Sequence, residues 1–401
     1  MRRIAILIVL MTATTLLLAG AASTQAPEGE DTDPYIVVLE ESVDEPAQVA
    51  EGVEGRQEGL EVGYVYGETI EGFSAQIPDG SVDEVRNNTR VDYVVRDRIL
   101  RTTAQTTPWG VRRIGADARN VVGVGDGVNI YAIDTGIDKT HPDLDDNVAG
   151  HVSFQGDKNR DCDGHGTHVA GILVAEDNAR NVVGVAPGAS LIGVKVLGCQ
   201  GGGRTSKIIK GVEWVTADAQ KPQNADTPAV ANMSLGGPAV KDNPRTPEVE
   251  EDPLIKAVQD SALSGVFYSL SAGNLDGNAC NRSPARAGAG ANNGIVTTAA
   301  TRKSDKEAGY SSHGRCVDLW APGNRILSTQ LGGGTRLSSG TSMAAPHVGG
   351  TAALYLSSNP AADPEQVEVR LKKTSENTGE LSEGVRPIQL VSARNALSPT
   401  P

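Results

Sequence analysis

Ser342 stands in the run Ser339-Gly340-Thr341-Ser342-Met343-Ala344-Ala345-Pro346-His347, just before the apolar stretch Val348 to Leu356. A glycine-bearing turn running into an apolar helix puts Ser342 at the helix N-terminus. There unpaired N–H groups and the positive end of the dipole favour developing negative charge. Such a serine suits nucleophilic attack, but it needs a base and a group that orients the base. The base candidate is His165, flanked by glycines in Asp163-Gly164-His165-Gly166-Thr167-His168-Val169-Ala170-Gly171. Only six histidines exist (141, 151, 165, 168, 313, 347), and His168, one helical turn on, reads as a packed core residue. The orienting candidate is Asp134, which ends the apolar run Asn129-Ile130-Tyr131-Ala132-Ile133 and opens Asp134-Thr135-Gly136-Ile137-Asp138. A carboxylate at the end of a buried strand is held rigidly, as an orienting group must be. Asn274 ends a second apolar run, Val266 to Ala272 and Gly273. Its amide, with the Ser342 N–H, suits an oxyanion.

The elements that must position these groups are strands alternating with helices. Strands are expected at 128–133, 191–197, 229–234, 265–271 and 295–300. Helices are expected at 166–175, 205–219, 253–264, after Ser342, and at 364–374. Strands apolar along their whole length, with helices between them, imply an α/β fold: a parallel sheet covered on both faces. In such sheets functional groups gather at the carboxyl ends of strands, where Asp134 and Asn274 lie.

A different composition precedes this. Residues 27–101 carry about −13 of the chain's net charge of −14, so the main domain is nearly neutral and offers no nucleic-acid surface. Met1 to Ala26 reads as a secretory signal: Arg2 and Arg3, an apolar core from Ile4 to Ala19, then small residues. Residues 27–33 read as a disordered linker. A small α+β domain follows, with strands at 35–39, 62–66, 72–77 and from 91. It also has a helix over 43–58 and a capping box from Ser81 to Glu84. The polar stretch Arg101 to Thr107 separates it from the main domain. Four cysteines fit an exported, disulfide-permissive chain, and they allow three pairings.

The motifs at Asp134, His165, Asn274 and Ser342, in that order, resemble the subtilisin-like serine peptidases, the subtilases. Trp109-Gly110-Val111-Arg112-Arg113-Ile114 and the cysteine placement resemble the proteinase K and aqualysin branch most. The resemblance covers about residues 34–395. It implies a secreted serine endopeptidase with a parallel-sheet catalytic domain over 102–401 and a propeptide over 34–101. The propeptide assists folding and inhibits the enzyme until a cut between residues 101 and 108. It implies that Asp134 orients His165, that His165 takes the Ser342 proton, and that Asn274 and the Ser342 amide bind the oxyanion. Gly201-Gly202-Gly203 and Ser234-Leu235-Gly236-Gly237 resemble the family's substrate edges, where glycine lets a peptide strand approach and pair.

The same resemblance chooses the pairings Cys162–Cys199 and Cys280–Cys316. It implies no cofactor for the chemistry and a structural calcium on Asp318, with carbonyl partners at Asn293 and Ile295. It implies no second site beside Arg112 and Gly115. Arg282 stands where relatives carry an aromatic bordering the primary pocket. It either favours an acidic residue before the cut bond or narrows the pocket for apolar ones. The expected partners are polypeptide substrates and the chain's own propeptide, acting on a monomer with no membrane attachment once the signal is removed. Two other classes stand beside this one. One is an inactive secreted binding protein on the same fold. The other is an aspartic peptidase read from Asp134-Thr135-Gly136, which lacks the second Asp-Thr-Gly or Asp-Ser-Gly that two carboxylates sharing a proton require.

Overall fold

A computed structural model describes residues 32–78, 80–97, 105–118, 123–156, 159–239, 252–288, 292–383 and 385–398. The signal-like residues 1–26, most of the linker and residues 101–104 of the expected maturation window lie outside the described residues. The chain divides into two compact units, Met1–Thr102 and Thr103–Pro401.

In the first unit β1 (Thr32–Leu39), β2 (Glu61–Tyr66), β3 (Gly72–Pro78) and β4 (Val91–Arg96) form an antiparallel sheet in the order β2-β3-β1-β4. Alternate residues of β1 point one way, so Tyr35, Val37 and Leu39 are buried together. They meet Phe73, Ala75 and Ile77 of β3, and Val49, Ala50 and Val53 of α1 (Pro46–Glu54). Three expectations need correction. The linker ends at residue 31, because Thr32 and Asp33 already pair with Pro78 and Ile77. The helix expected over 43–58 is shorter, since Pro46 fits only the first turn of a helix and Gly55 ends it. The capping box at Ser81 does not form: Ser81 is itself helical (φ −98°, ψ −9°), and its side chain caps nothing in the five-residue α2 (Val82–Arg86).

The second unit is built on a nine-stranded sheet in the order β16-β17-β13-β12-β10-β8-β5-β7-β6. Its strands are β5 (Asn129–Asp134), β6 (Val148–Ser153), β7 (Ser190–Lys195), β8 (Ala229–Met233), β10 (Val266–Ser271), β12 (Ile295–Thr301), β13 (Leu319–Pro322), β16 (Glu376–Ser382) and β17 (Arg386–Leu390). All neighbours are parallel except β16 and β17. Small antiparallel pairs are β9 (Gly237–Pro238) with β11 (Arg282–Ser283), and β14 (Ile326–Thr329) with β15 (Thr335–Ser338).

Strand β5 shows why the sheet is covered twice. Ile130 and Ala132 pack on one face with residues of α4 (His165–Val174) and α7 (Thr341–Ser358). Val111 of α3 (Trp109–Arg113), Val367 of α8 (Pro364–Lys373) and Ala393 of α9 (Ala393–Leu397) join that cluster. Tyr131 and Ile133 pack on the other face against α5 (Thr205–Ala219) and α6 (Pro253–Leu263). Each large aliphatic side chain so buried contributes about 1.5–3 kcal/mol. From β5 the sheet grows one way through β7 and the other through β8. The crevice at that switch point opens at the carboxyl ends of β5, β8 and β10. Among the described residues no helix is long and apolar enough to cross a membrane.

Candidate active site

Asp134 is the last residue of β5, and its side chain is 1% exposed. Its Oδ1 accepts the Thr135 N–H at 2.7 Å and the His165 Nδ1–H at 2.7 Å. With Nδ1 donating to a carboxylate, Nε2 is left as the acceptor. Burial pulls the His165 pKa down. The Asp134 charge and hydrogen bond outweigh it, with Asp163 and Asp161 adding to them, and the net direction is up.

The helix behind His165 starts where the sequence forces a start. Gly164 has φ 94°, a conformation that costs other residues strain. A Cβ on Gly166 would lie 2.1 Å from the Gly136 carbonyl oxygen, so the helix end packs directly on the Asp134 loop. Asp161, which sequence reasoning passed over, ties the two loops together. Its Oδ1 accepts from Thr135 Oγ1 (2.9 Å) and the N–H groups of Asp163 and Gly164 (3.0 Å each). Its Oδ2 accepts from the Thr167 N–H (2.9 Å) and Oγ1 (2.6 Å). Burial works to raise the Asp161 pKa, but these five donors hold it below the usual carboxylate range. The signal was present as a carboxylate four residues before His165. His168 is fully buried with Nε2 on the Arg336 carbonyl, and burial with the Arg336 charge lowers it to about 4. It is a neutral packing residue.

Ser342 lies in the first turn of α7, as its sequence position implies. Pro346 inside the helix has no N–H for the Ser342 carbonyl four residues earlier. The Ser234 Oγ supplies that hydrogen bond at 2.8 Å, which locks the end of β8 to the Ser342 backbone. The Ser342 Oγ donates to the Ser234 carbonyl at 3.2 Å, and a bond to His165 is absent from the hydrogen bonds of the described residues. Rotation about one serine torsion re-aims this hydroxyl, and catalytic hydrogen bonds are often unformed without substrate.

Asn274 follows β10. Its Oδ1 accepts both the Thr341 N–H (2.8 Å) and the Thr341 hydroxyl (2.9 Å), and the Thr341 Oγ1 accepts the Gly273 N–H at 3.0 Å. With the oxygen end fixed by two donors, the amide presents Nδ2 as its free end. Thr341 therefore orients Asn274, a role its place beside Ser342 did not reveal.

His165, Ser342, Asn274, Gly201–Gly203, Ser234–Gly237 and Arg282 all line one cleft of about 610 Å³, with Asp134 directly behind His165. A larger recess of about 710 Å³ opens at the amino ends of β8 and β10, beside Ala229 and Gly265. It holds none of these groups, so size does not locate the chemistry here. The structure joins Cys162 to Cys199 and Cys280 to Cys316. The first bridge links the His165 loop to the segment carrying Gly201–Gly203. Closing a loop of that length stabilises by about 4 kcal/mol in the chain-entropy view.

Asp318, Asn293 and Ile295 lie apart from the cleft. Asp318 Oδ2 accepts the Thr297 N–H at 2.9 Å, and its Oδ1 meets the Lys372 ammonium at 3.1 Å. The same ammonium reaches Glu368 Oε1 at 3.0 Å. Glu368 Oε2 accepts the N–H groups of Asn293 (2.7 Å) and Gly294 (2.8 Å). Asn293 Oδ1 accepts the Ile295 N–H. Among the described residues no group of three or more His, Cys, Asp or Glu is placed to hold a metal. A divalent ion does not fit beside a protonated lysine, so this arrangement suits an ammonium rather than the calcium expected on Asp318. The sequence signal was Lys372 one helical turn after Glu368 in α8. Lys372→Met should cost about 2–3 kcal/mol, less than a fully buried pair because Lys372 keeps 30% exposure. Denaturant unfolding of protein acylated at Ser342 measures it. Millimolar calcium should raise the variant's midpoint more than the wild type's; equal shifts would show that the lysine holds no cation position.

A serine in the first turn of a helix, a histidine–aspartate pair and an asparagine thus gather at the strand ends of a doubly covered parallel sheet of α/β architecture. The chain belongs to the subtilase family. The subtilase profile matches residues 125–386, and the profile of the peptidase inhibitor I9 family matches residues 34–103. The chain is 38% identical to the alkaline serine exoprotease A of Vibrio alginolyticus over 88% of its length, spanning 65% of that protein. It is 36% identical to an extracellular serine proteinase of Thermus sp. (strain Rt41A), over 85% of this chain and 81% of that one. The crystal structure of a cold-adapted subtilisin-like serine proteinase superposes with a TM-score of 0.61 at 37% identity, covering 73% of this chain and 99% of that one.

Proposed function

We propose that this subtilase is a secreted endopeptidase that uses an Asp134–His165–Ser342 triad and matures itself. The observation that carries the reading is the 2.7 Å His165–Asp134 hydrogen bond at the edge of the cleft that Ser342 and Asn274 also line. His165 Nε2 takes the Ser342 proton as Oγ attacks the peptide carbonyl. Asp134 stabilises the imidazolium, and the Asn274 Nδ2 and Ser342 N–H receive the oxyanion. The imidazolium protonates the leaving amine, and water enters by the same route in reverse to release the acyl group. The substrate edges are Gly201–Gly203 and Ser234–Gly237. Residues 1–26 direct export, as the extracellular Thermus relative supports. The domain over residues 34–101 acts as folding assistant and intramolecular inhibitor of a monomeric enzyme until a cut within 101–108, as its inhibitor-family match supports.

The test is acylation by a serine-directed inhibitor followed by peptide mapping. Label on Ser342, with loss of peptide turnover in step, supports the reading; labelling elsewhere or none at all refutes it. Asn274→Ala should lower kcat by about 10²–10³ with KM nearly unchanged, the scale measured for the corresponding side chain of a subtilisin. Steady-state kinetics on one peptide checks this, and a loss confined to KM would move Asn274 from oxyanion donor to ground-state binding.

A further inference from the structure

Among the described residues, the cleft contains a cation whose Nε has no acceptor. Arg282 lines it, and Arg282 Nε is buried without a hydrogen-bond partner. No ion pair involves Arg282 among the described residues. Among the described residues two carboxylates share the cleft, and each is engaged through its Oδ1. Asp163 Oδ1 accepts the His165 N–H, and Asp252 Oδ1 accepts from Leu254, Ile255 and the Ser283 hydroxyl.

Position tells what this cation meets. Ser342 and Asn274 fix where the attacked carbonyl sits, so the side chain next to that carbonyl enters the recess beginning there. One wall of the recess is Ser234-Leu235-Gly236, and the other is Ser271-Ala272-Gly273. Both walls are glycine where they meet the Arg282-Ser283 strand. A Cβ on Gly236 would lie 3.1 Å from the Ser283 carbonyl oxygen, and one on Gly273 would lie 3.4 Å from Arg282 Nε. Gly273 also has φ 107°, a backbone conformation in which a larger residue is strained. The short strand β11 thus closes the recess and delivers a guanidinium into it.

Resting on the peptidase reading above, we infer that Arg282 selects an acidic side chain, Asp or Glu, in the residue before the cut bond. A carboxylate accepts from the guanidinium in the two-pronged geometry that arginine presents. It also gives a partner to a donor whose unpaired burial is costly. The window over residues 101–108 holds no Asp or Glu. Arg282 therefore does not choose the proposed self-cut. A cut within one chain proceeds at an effective concentration far above that of free peptide and tolerates a mismatched residue.

The experiment compares kcat/KM over peptides differing only in that residue (Glu, Asp, Gln, Phe, Lys), for wild type, Arg282→Gln and Arg282→Tyr. Wild type should prefer Glu over Gln by about tenfold or more, and both variants should bring that ratio near unity while Phe turnover persists. Two variants of different bulk separate loss of charge from loss of packing. An unchanged Glu-to-Gln ratio in both variants, with turnover intact, overturns the inference and leaves the peptidase reading standing. Failure of wild type to cut any peptide, with Ser342 unreactive, overturns the peptidase reading itself.

Discussion

Ser342→Ala should abolish turnover and leave the exported protein uncut. The expected fall in kcat is about 10⁶, the scale measured for the subtilisin triad itself rather than one computed from this geometry. Truncation removes only Oγ, whose hydrogen bond in the structure is to the Ser234 carbonyl. The Ser342 N–H, the Ser234-to-Ser342 carbonyl bond and the Thr341–Asn274 contacts all survive it. Stability should therefore change by less than about 1 kcal/mol, and the variant tests chemistry rather than folding. Intact mass and N-terminal sequencing of both proteins give the readout. Wild type should begin between residues 101 and 108, and the variant should keep residues 27–101 attached. Identical processing of the two would assign maturation to another protease and remove self-cleavage from the proposal.

What the sequence made legible was what strong local rules govern. Strands β5, β8, β10 and β12 were readable because they are rich in apolar, β-branched and small residues and carry no charge before their ends, as a doubly covered strand requires. The end of such a strand is a rigid place for a polar side chain, so Asp134 and Asn274 stood out together. Strands β6, β16 and β17 did not, because they lie at or near the sheet edges, where burial is partial and the pattern fades. The groups that orient the site were also hidden. Thr341 holds Asn274, Asp161 ties two loops, and Ser234 supplies the hydrogen bond that Pro346 removes. Each acts on a residue distant in the chain, and its type alone reads as turn chemistry. Lys195 is similar: fully buried beside Asp134 in the register of β5 and β7, it donates to the Thr135 carbonyl at 2.7 Å, which no local pattern announces. Resemblance carried the calcium expectation onto Asp318; the residue that occupies the cation position beside it, Lys372, comes from a helix 54 positions away and could not be read from the local motif.

Asp134→Asn should lower kcat by about 10⁴ and move the acid limb of the pH profile downward. The magnitude is that known for such replacements in serine peptidases; the direction follows from this site. Asp134 Oδ1 accepts two N–H groups, from Thr135 and His165. Asparagine keeps the shape of the side chain but has one oxygen and one NH₂ where the carboxylate has two acceptors. It no longer holds the imidazole in the tautomer with Nδ1–H, and the expected scale reflects that wrong tautomer together with loss of the negative charge. That charge also sets the titration. In wild type, burial lowers the His165 pKa and the Asp134 charge and hydrogen bond raise it more. In the proposed mechanism His165 works as a base only when neutral, so activity rises as pH passes upward through its pKa, and the wild-type limb lies above the ordinary histidine value. With the charge gone, burial is opposed only by the smaller effects of Asp163 and Asp161, and the limb falls. The kcat/KM profile of both proteins against pH, on one uncharged peptide, measures this because it reports groups of the free enzyme. A limb that stays in place while the rate drops would mean that His165 does not set it, and the base would have to be sought elsewhere in the cleft.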